Sequence, residues 1–240
     1  MKRFHLFLKT LLYPIGKLLF PCKVMDKDKY RKYDRGRVVI SNHLSWIDVC
    51  YQLISMPGYK RILSKKENGQ NKFVHWLFRS IGVLFVNREK PELSSMRECL
   101  SSLNNGETLC IYPEGTRNRV DRTIQPLHSG AALFAVKGAA TVVPVVVHHK
   151  GKLFRRNYLG VGDSIDLTDL YRNRIDESVL AEATARFKAG MEKTLEKLDE
   201  WVAAKGWRRD KKTKRAEKRA LEKQYAAARK TAKRAKRSNG

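Results

Sequence analysis

No uninterrupted apolar run of about 20 residues, the length needed to span a bilayer as a helix, occurs anywhere in the 240 residues. The nearest approach, Phe4 to Phe20, is broken by Lys9, Pro14 and Lys17. No small-residue cleavage site follows it, which argues against a secretory signal peptide. Only four cysteines are present, Cys22, Cys50, Cys99 and Cys110, with no CxxC spacing. That disfavours a metal site or a disulfide framework and fits reduced thiols. Acidic residues are scarce, 24 against 50 Lys and Arg. The Gly-rich phosphate loop GxxxxGK and the nucleophile elbow GxSxG are both missing, so neither a P-loop nor a serine-hydrolase elbow is read.

What remains is a strongly basic chain with enough apolar content, 42% hydrophobic, for a real core. A net charge of +26 calls for an anionic partner: nucleic acid, anionic lipid or a phosphorylated substrate. The charge is concentrated in residues 205–240, which hold 16 Lys/Arg against 3 Asp/Glu. Few aromatics are interleaved there beyond Trp207 and Tyr225, and no nucleic-acid module is evident, so anionic lipid is the preferred partner and nucleic acid is disfavoured.

Short β-branched runs alternate with helical stretches from Arg37–Ile40 onward, predicting an α/β fold with a mixed, largely parallel sheet flanked by helices. Strands are expected at Arg37–Ile40, Arg61–Ser64, Gly82–Val86, Thr108–Tyr112 and Thr141–Val147. Helices are expected at Trp46–Met56, Phe73–Ile81, Ser94–Leu103, Gly130–Lys137 and from Glu177 onward. Pro144 suggests an edge or a bulge. The chain is thus divided into three regions: an N-terminal amphipathic, membrane-associating helical segment over 1–35, a domain over 36–206, and a basic helical or disordered tail over 207–240.

Two loops carry chemistry. Asn42-His43-Leu44-Ser45-Trp46-Ile47-Asp48 follows the first strand. On an ideal helix residues five apart point about 140° apart, so His43 and Asp48 meet only if His43 lies in the turn before the helix. There an imidazole could act as general base with the carboxylate fixing its tautomer. The motif by itself leaves open a helix capped by Asn42 or Ser45, with His43 incidental. Tyr112-Pro113-Glu114-Gly115-Thr116-Arg117-Asn118 follows another strand. Gly115 permits close backbone approach, Thr116 offers a hydroxyl and Arg117 a forked cation for phosphate. Glu114 would repel phosphate, which suggests that it orients Arg117 or the loop. A third strand delivers Arg88 to its end.

Together these blocks resemble the glycerolipid acyltransferases, most closely the 1-acylglycerol-3-phosphate acyltransferases. Asn42-His43-x-Ser45-x-x-Asp48, Gly82-x-x-Phe85-Val86-x-Arg88, Glu114-Gly115-Thr116-Arg117 and Val142-Val143-Pro144-Val145 match the four ordered blocks of that family, over about Val38 to Val147. The resemblance implies a general base at His43 oriented by Asp48, and a phosphate site formed or supported by Arg88, Glu114, Gly115, Thr116 and Arg117. Lys65 stands where such enzymes often carry a basic residue. It implies direct acyl transfer from acyl-CoA or acyl carrier protein to a lysophospholipid hydroxyl, with no metal and no cofactor. The expected place is the cytoplasmic face of the cell membrane, as a peripheral or monotopic protein on an anionic surface. Another lysolipid acceptor, or an inactive basic membrane-binding protein, are the alternatives. One departure stands out: Leu127-His128-Ser129-Gly130 replaces the Phe-Lys-x-Gly often found after the third block.

Overall fold

A computed structural model describes residues 11, 13–31, 36–87, 92–171 and 174–205. The first part of the N-terminal amphipathic pattern, Arg88 and the basic tail lie outside the described residues. The chain divides into two units, Met1–Trp201 and Val202–Gly240. The second is described only over 202–205; the sheet and both chemistry-bearing loops belong to the first.

The elements, in chain order, are β1 (Cys22–Met25), β2 (Arg37–Ile40), α1 (Asp48–Ser55), β3 (Lys60–Lys65), α2 (Lys72–Ser80), β4 (Val83–Val86), α3 (Leu93–Asn104), β5 (Thr108–Ile111), α4 (Gly130–Lys137), β6 (Thr141–Val147), β7 (Asn157–Val161) and α5 (Glu177–Ala204). The strands form one seven-stranded sheet of order β1-β7-β6-β2-β5-β3-β4. Every ladder is parallel except β6 with β7. The α/β reading and each of the five expected strands are therefore present; β1 and β7 carry no sequence signal strong enough to mark them.

The strands are short and apolar on both faces because helices cover both. On one face Val39, Cys110, Val143, Ile62 and Val83 form a cluster with Ile47 and Tyr51, and Phe78 of α2 packs against it. Side chains alternate along a strand, so Val38, Leu109 and Val142, all fully buried, point to the other face. There α3 meets α4, where a Cβ on Gly138 would lie 2.8 Å from Leu103 Cδ1. Burying a Val, Leu or Ile side chain is worth roughly 1.5–3 kcal/mol, and such residues make up most of β2, β5 and β6 taken together.

Pro144 corrects the expectation of an edge; beside it the antiparallel register slips by one residue, from Val145↔Val161 to Val142↔Ile165, as at a bulge. Pro144 pairs with Ile40 in the interior strand β6. The missing N–H is tolerated because β7 ends at Val161, and Gly162 just beyond donates to the Pro144 carbonyl at 2.9 Å. Gly162 also has to be small there: a Cβ would sit 2.7 Å from Pro144 Cγ and 2.1 Å from Thr194 Oγ1 of α5.

In parallel ladders the carboxyl ends of β2, β3, β4, β5 and β6 all reach one edge. Ile40 is level with Ile111 and Pro144, and Lys65 with Val86. Ligands of open α/β sheets gather at that edge, and both chemistry-bearing loops leave the sheet there.

Candidate active site

The loop after β2 is held from three sides. Ser41 N donates to Ile111 O at 3.1 Å. The buried side chain of Asn42 grips the backbone of Val147 at the end of β6, donating to its carbonyl at 3.0 Å and accepting from its N–H at 2.7 Å. Asn118 N donates to His43 O at 2.7 Å. These bonds place His43 in the turn ahead of α1, and Asp48 opens that helix, where a carboxylate is favoured by the helix dipole.

The two side chains meet. Asp48 Oδ2 lies 3.2 Å from His43 Nδ1 and accepts from the backbone N–H groups of Leu44 at 2.7 Å and Ser45 at 2.6 Å. Its other oxygen accepts from the Ser45 hydroxyl at 3.0 Å. Asp48 is completely buried, whereas His43 keeps 19% of its side chain exposed. A buried carboxylate with this many donors holds one orientation. The imidazole is pinned on its second side by the Tyr112 ring, 4.3 Å away between centroids. The ring nitrogen facing Asp48 is thereby Nδ1, which leaves Nε2 facing away from the carboxylate.

The loop after β5 lies alongside. Gly115 turns it with φ 70, a conformation costly for any side chain. Thr116 and Arg117 line the outer part of this loop, and Arg117 directly precedes Asn118, whose backbone is tied to His43. Asn118 is itself a buried hub: its side chain donates to Asp121 Oδ1 and Thr123 O and accepts from the N–H groups of Val120 and Asp121. Glu114 shows no ion pair with Arg117. It is 2% exposed, and neither carboxyl oxygen makes a hydrogen bond of ordinary geometry. Burial pushes its pKa up to about 7; the His43 backbone pulls it part-way back, and the charges of Asp48 and Asp121 add to the rise.

Lys65, exposed, ends β3 on the same edge, and Arg88 follows β4 but lies outside the described residues. Next to the Glu114 loop a cavity of about 580 Å³ opens between the sheet and helices α3 and α4. Its walls are mostly apolar, including Leu63, Val86, Met96, Ile111 and Phe134, with Tyr112 and Gly115 at the His43 end. His128 lines it too, and its N–H donates to Pro113 O at 2.9 Å, so the residue standing where the resemblance expects a Lys closes the loop between β5 and α4 on itself through its backbone. The sequence does not reveal the roles of Asn42 and Asn118 or this cavity. A buried Asn in a polar loop has no periodic signature, and the cavity depends on how two helices pack.

A His–Asp pair at the carboxyl edge of a largely parallel sheet defines an α/β class of protein, and the Acyltransferase family profile matches residues 22–148, more than half of the chain, so the chain belongs to that family. Among its relatives is the 1-acyl-sn-glycerol-3-phosphate acyltransferase of Bacillus subtilis, 34% identical over 123 residues, which cover 51% of this chain and 60% of that protein. The protein of the same name from Streptococcus pneumoniae is 26% identical over 194 residues, covering 78% of this chain and 69% of its own. The chain thus spans about 60% of the length of the Bacillus relative. The crystal structure of the 1-acyl-sn-glycerophosphate acyltransferase PlsC from Thermotoga maritima shares the fold, with a TM-score of 0.58 at 23% identity over 79% of this chain and 80% of that one.

Proposed function

We propose that the protein transfers a fatty acyl group from acyl-CoA or acyl carrier protein to the free hydroxyl of 1-acylglycerol-3-phosphate, giving phosphatidic acid. The observation that carries this reading is the His43–Asp48 pair with its Nδ1 side committed to the buried carboxylate. His43 Nε2 takes the proton of the acceptor hydroxyl as its oxygen attacks the thioester carbonyl. The tetrahedral adduct collapses, the carbon–sulfur bond breaks, and the imidazolium returns the proton to the departing thiolate. Asp48 stabilises the imidazolium and stays ionised.

No enzyme nucleophile is invoked. Cys50 is the nearest thiol in sequence, and burial, then the Asp48 charge, push its pKa up to about 11. A thiolate is therefore scarce near neutral pH. No metal or cofactor is required.

Arg117, with Thr116 and the Gly115 backbone, would anchor the acceptor phosphate, joined by Arg88 and Lys65 from neighbouring strand ends. Glu114 is less repulsive to that phosphate than its type suggests, because a carboxyl with a pKa of about 7 is largely neutral below neutrality. The apolar cavity beside it suits a lipid chain. No helix among the described residues is long and apolar enough to cross a membrane. A basic protein acting on a lipid would work as a peripheral or monotopic protein at the anionic cytoplasmic face.

The test is turnover by purified protein of lysophosphatidate and lysophosphatidylcholine with both thioester donors. Preference for lysophosphatidate is expected. No acylation of either acceptor, or equal rates on both, would overturn the assignment.

A further inference from the structure

The segment from His148 to Arg156 joins β6 to β7 and leaves the sheet at the His43 edge, since Asn42 holds Val147. Its backbone is firmly placed. Tyr51 Oη donates to Lys152 O at 3.3 Å, Arg155 N to Lys152 O at 3.3 Å, and Asn157 Nδ2 to His149 O at 2.7 Å. Gly151 lies so close to α1 that a Cβ would sit 2.7 Å from the Tyr51 ring.

An anchored loop of this kind could tuck its apolar residues under itself. Instead Leu153 is 48% exposed and Phe154 is 64% exposed. Phe154 has φ 59, a left-handed conformation that a bulky residue adopts only under constraint. Four exposed cations, Lys150, Lys152, Arg155 and Arg156, flank the two apolar tips. Phe154 N donates to Leu19 O at 2.8 Å, joining the tip to the helical residues 13–19. Those residues expose Ile15 and Leu18, and Leu11 before them is exposed too.

We propose that Leu153 and Phe154 insert into the interface of an anionic bilayer, with the four flanking cations on the lipid headgroups, and thereby seat the His43 edge against the surface that holds the acceptor. Projecting apolar tips ringed by cations suit an interface that is apolar within and anionic at its face. An acidic carrier protein would satisfy the cations but not two protruding apolar side chains, which a protein partner meets with a matching groove. The inference rests on the reading of the substrate as a membrane lipid, but binding can be measured with no substrate present.

The experiment is flotation of the full chain with vesicles of phosphatidylcholine containing about a quarter phosphatidylglycerol, comparing wild type, L153S/F154S and F154L. Thermal unfolding is followed in parallel. The double variant should bind on the order of tenfold or more weakly while unfolding at the wild-type temperature, and F154L should bind as wild type does. A second variant, K150Q/K152Q/R155Q/R156Q, changes only exposed side chains and should show a reduced preference for anionic over neutral vesicles, the basic tail supplying the remainder. Unchanged vesicle binding by both multiple variants overturns the proposal. So does a double variant that loses binding to acidic carrier protein yet floats normally. Failure of acyl transfer in wild-type protein that still floats, and loses flotation in the variants, would sink the catalytic assignment and leave this surface standing.

Discussion

Asp48 Oδ2 faces His43 Nδ1 across 3.2 Å while the same oxygen accepts from two backbone N–H groups of the intervening turn. One carboxylate thus both shapes the loop and orients the imidazole. Replacing it by Asn keeps the volume but presents an amide that cannot satisfy all these donors. D48N should lower kcat by about 10²–10⁴ and stability by roughly 1–3 kcal/mol. Steady-state kinetics and urea unfolding check the two effects separately; a variant with full kcat would remove Asp48 from the mechanism.

His43→Ala should reduce acyl transfer by at least about 10²–10⁴, the usual worth of general acid–base catalysis. Vesicle flotation should be unchanged, because the imidazole is recessed beside Tyr112 rather than projecting from the surface. Substantial residual turnover would require another base.

Glu114 gives a pH dependence of definite sign. Its folded pKa of about 7 lies above the ordinary 4.5. Between those values the folded state holds a proton that the unfolded state has released, so stability falls as pH rises through this window and levels off above it. E114Q removes that loss. Its unfolding free energy relative to wild type should rise by on the order of 2 kcal/mol between about pH 4.5 and pH 8. Parallel denaturation profiles would mean that the carboxyl is solvated in solution.

Asn42 ties the His43 loop to β6 through two hydrogen bonds in a buried setting. Asn42→Leu leaves the Val147 N–H and carbonyl unpaired and should destabilise by about 2–4 kcal/mol, about 1–3 per orphaned group less partial relaxation. A conservative Asn42→Asp can accept but not donate, and should retain part of the stability. Chemical denaturation ranks the three proteins.

Met96 lines the cavity between α3 and α4. M96W should shorten the usable space, so transfer of long acyl chains falls while short chains are spared. A chain-length series of acyl-CoA donors reads this directly; a uniform change at every length would place the lipid chain elsewhere.

Much of the fold is legible in the sequence because it is local. The runs Arg37–Ile40 and Thr141–Val147 are β-branched, and strands with both faces buried need no alternation to be seen. β7, Asn-Tyr-Leu-Gly-Val, escapes such a reading, because Gly160 and Asn157 blur the pattern for reasons set by neighbours: Gly160 lies against Leu198, and Asn157 binds the chain at His149. Along α5 the apolar spacing marks Leu180, Phe187, Met191, Leu195, Leu198 and Val202, of which Phe187, Met191 and Leu198 are buried and the other three only partly; Val179, Ala183 and Thr194 are buried instead, Thr194 because the helix packs closely on Gly162.

By itself the sequence determined the alternation of strands and helices, the order of the chemistry-bearing loops and the residue types on them, since these depend on neighbours only a few positions apart. Only the tertiary structure decided that His43 and Asp48 touch, that Pro144 sits inside the sheet, that Glu114 is buried away from Arg117, and that Phe154 points outward. Each of those rests on contacts between segments far apart in the chain, Asn42 with Val147 and Phe154 with Leu19 among them, and no local pattern encodes which distant backbone will arrive.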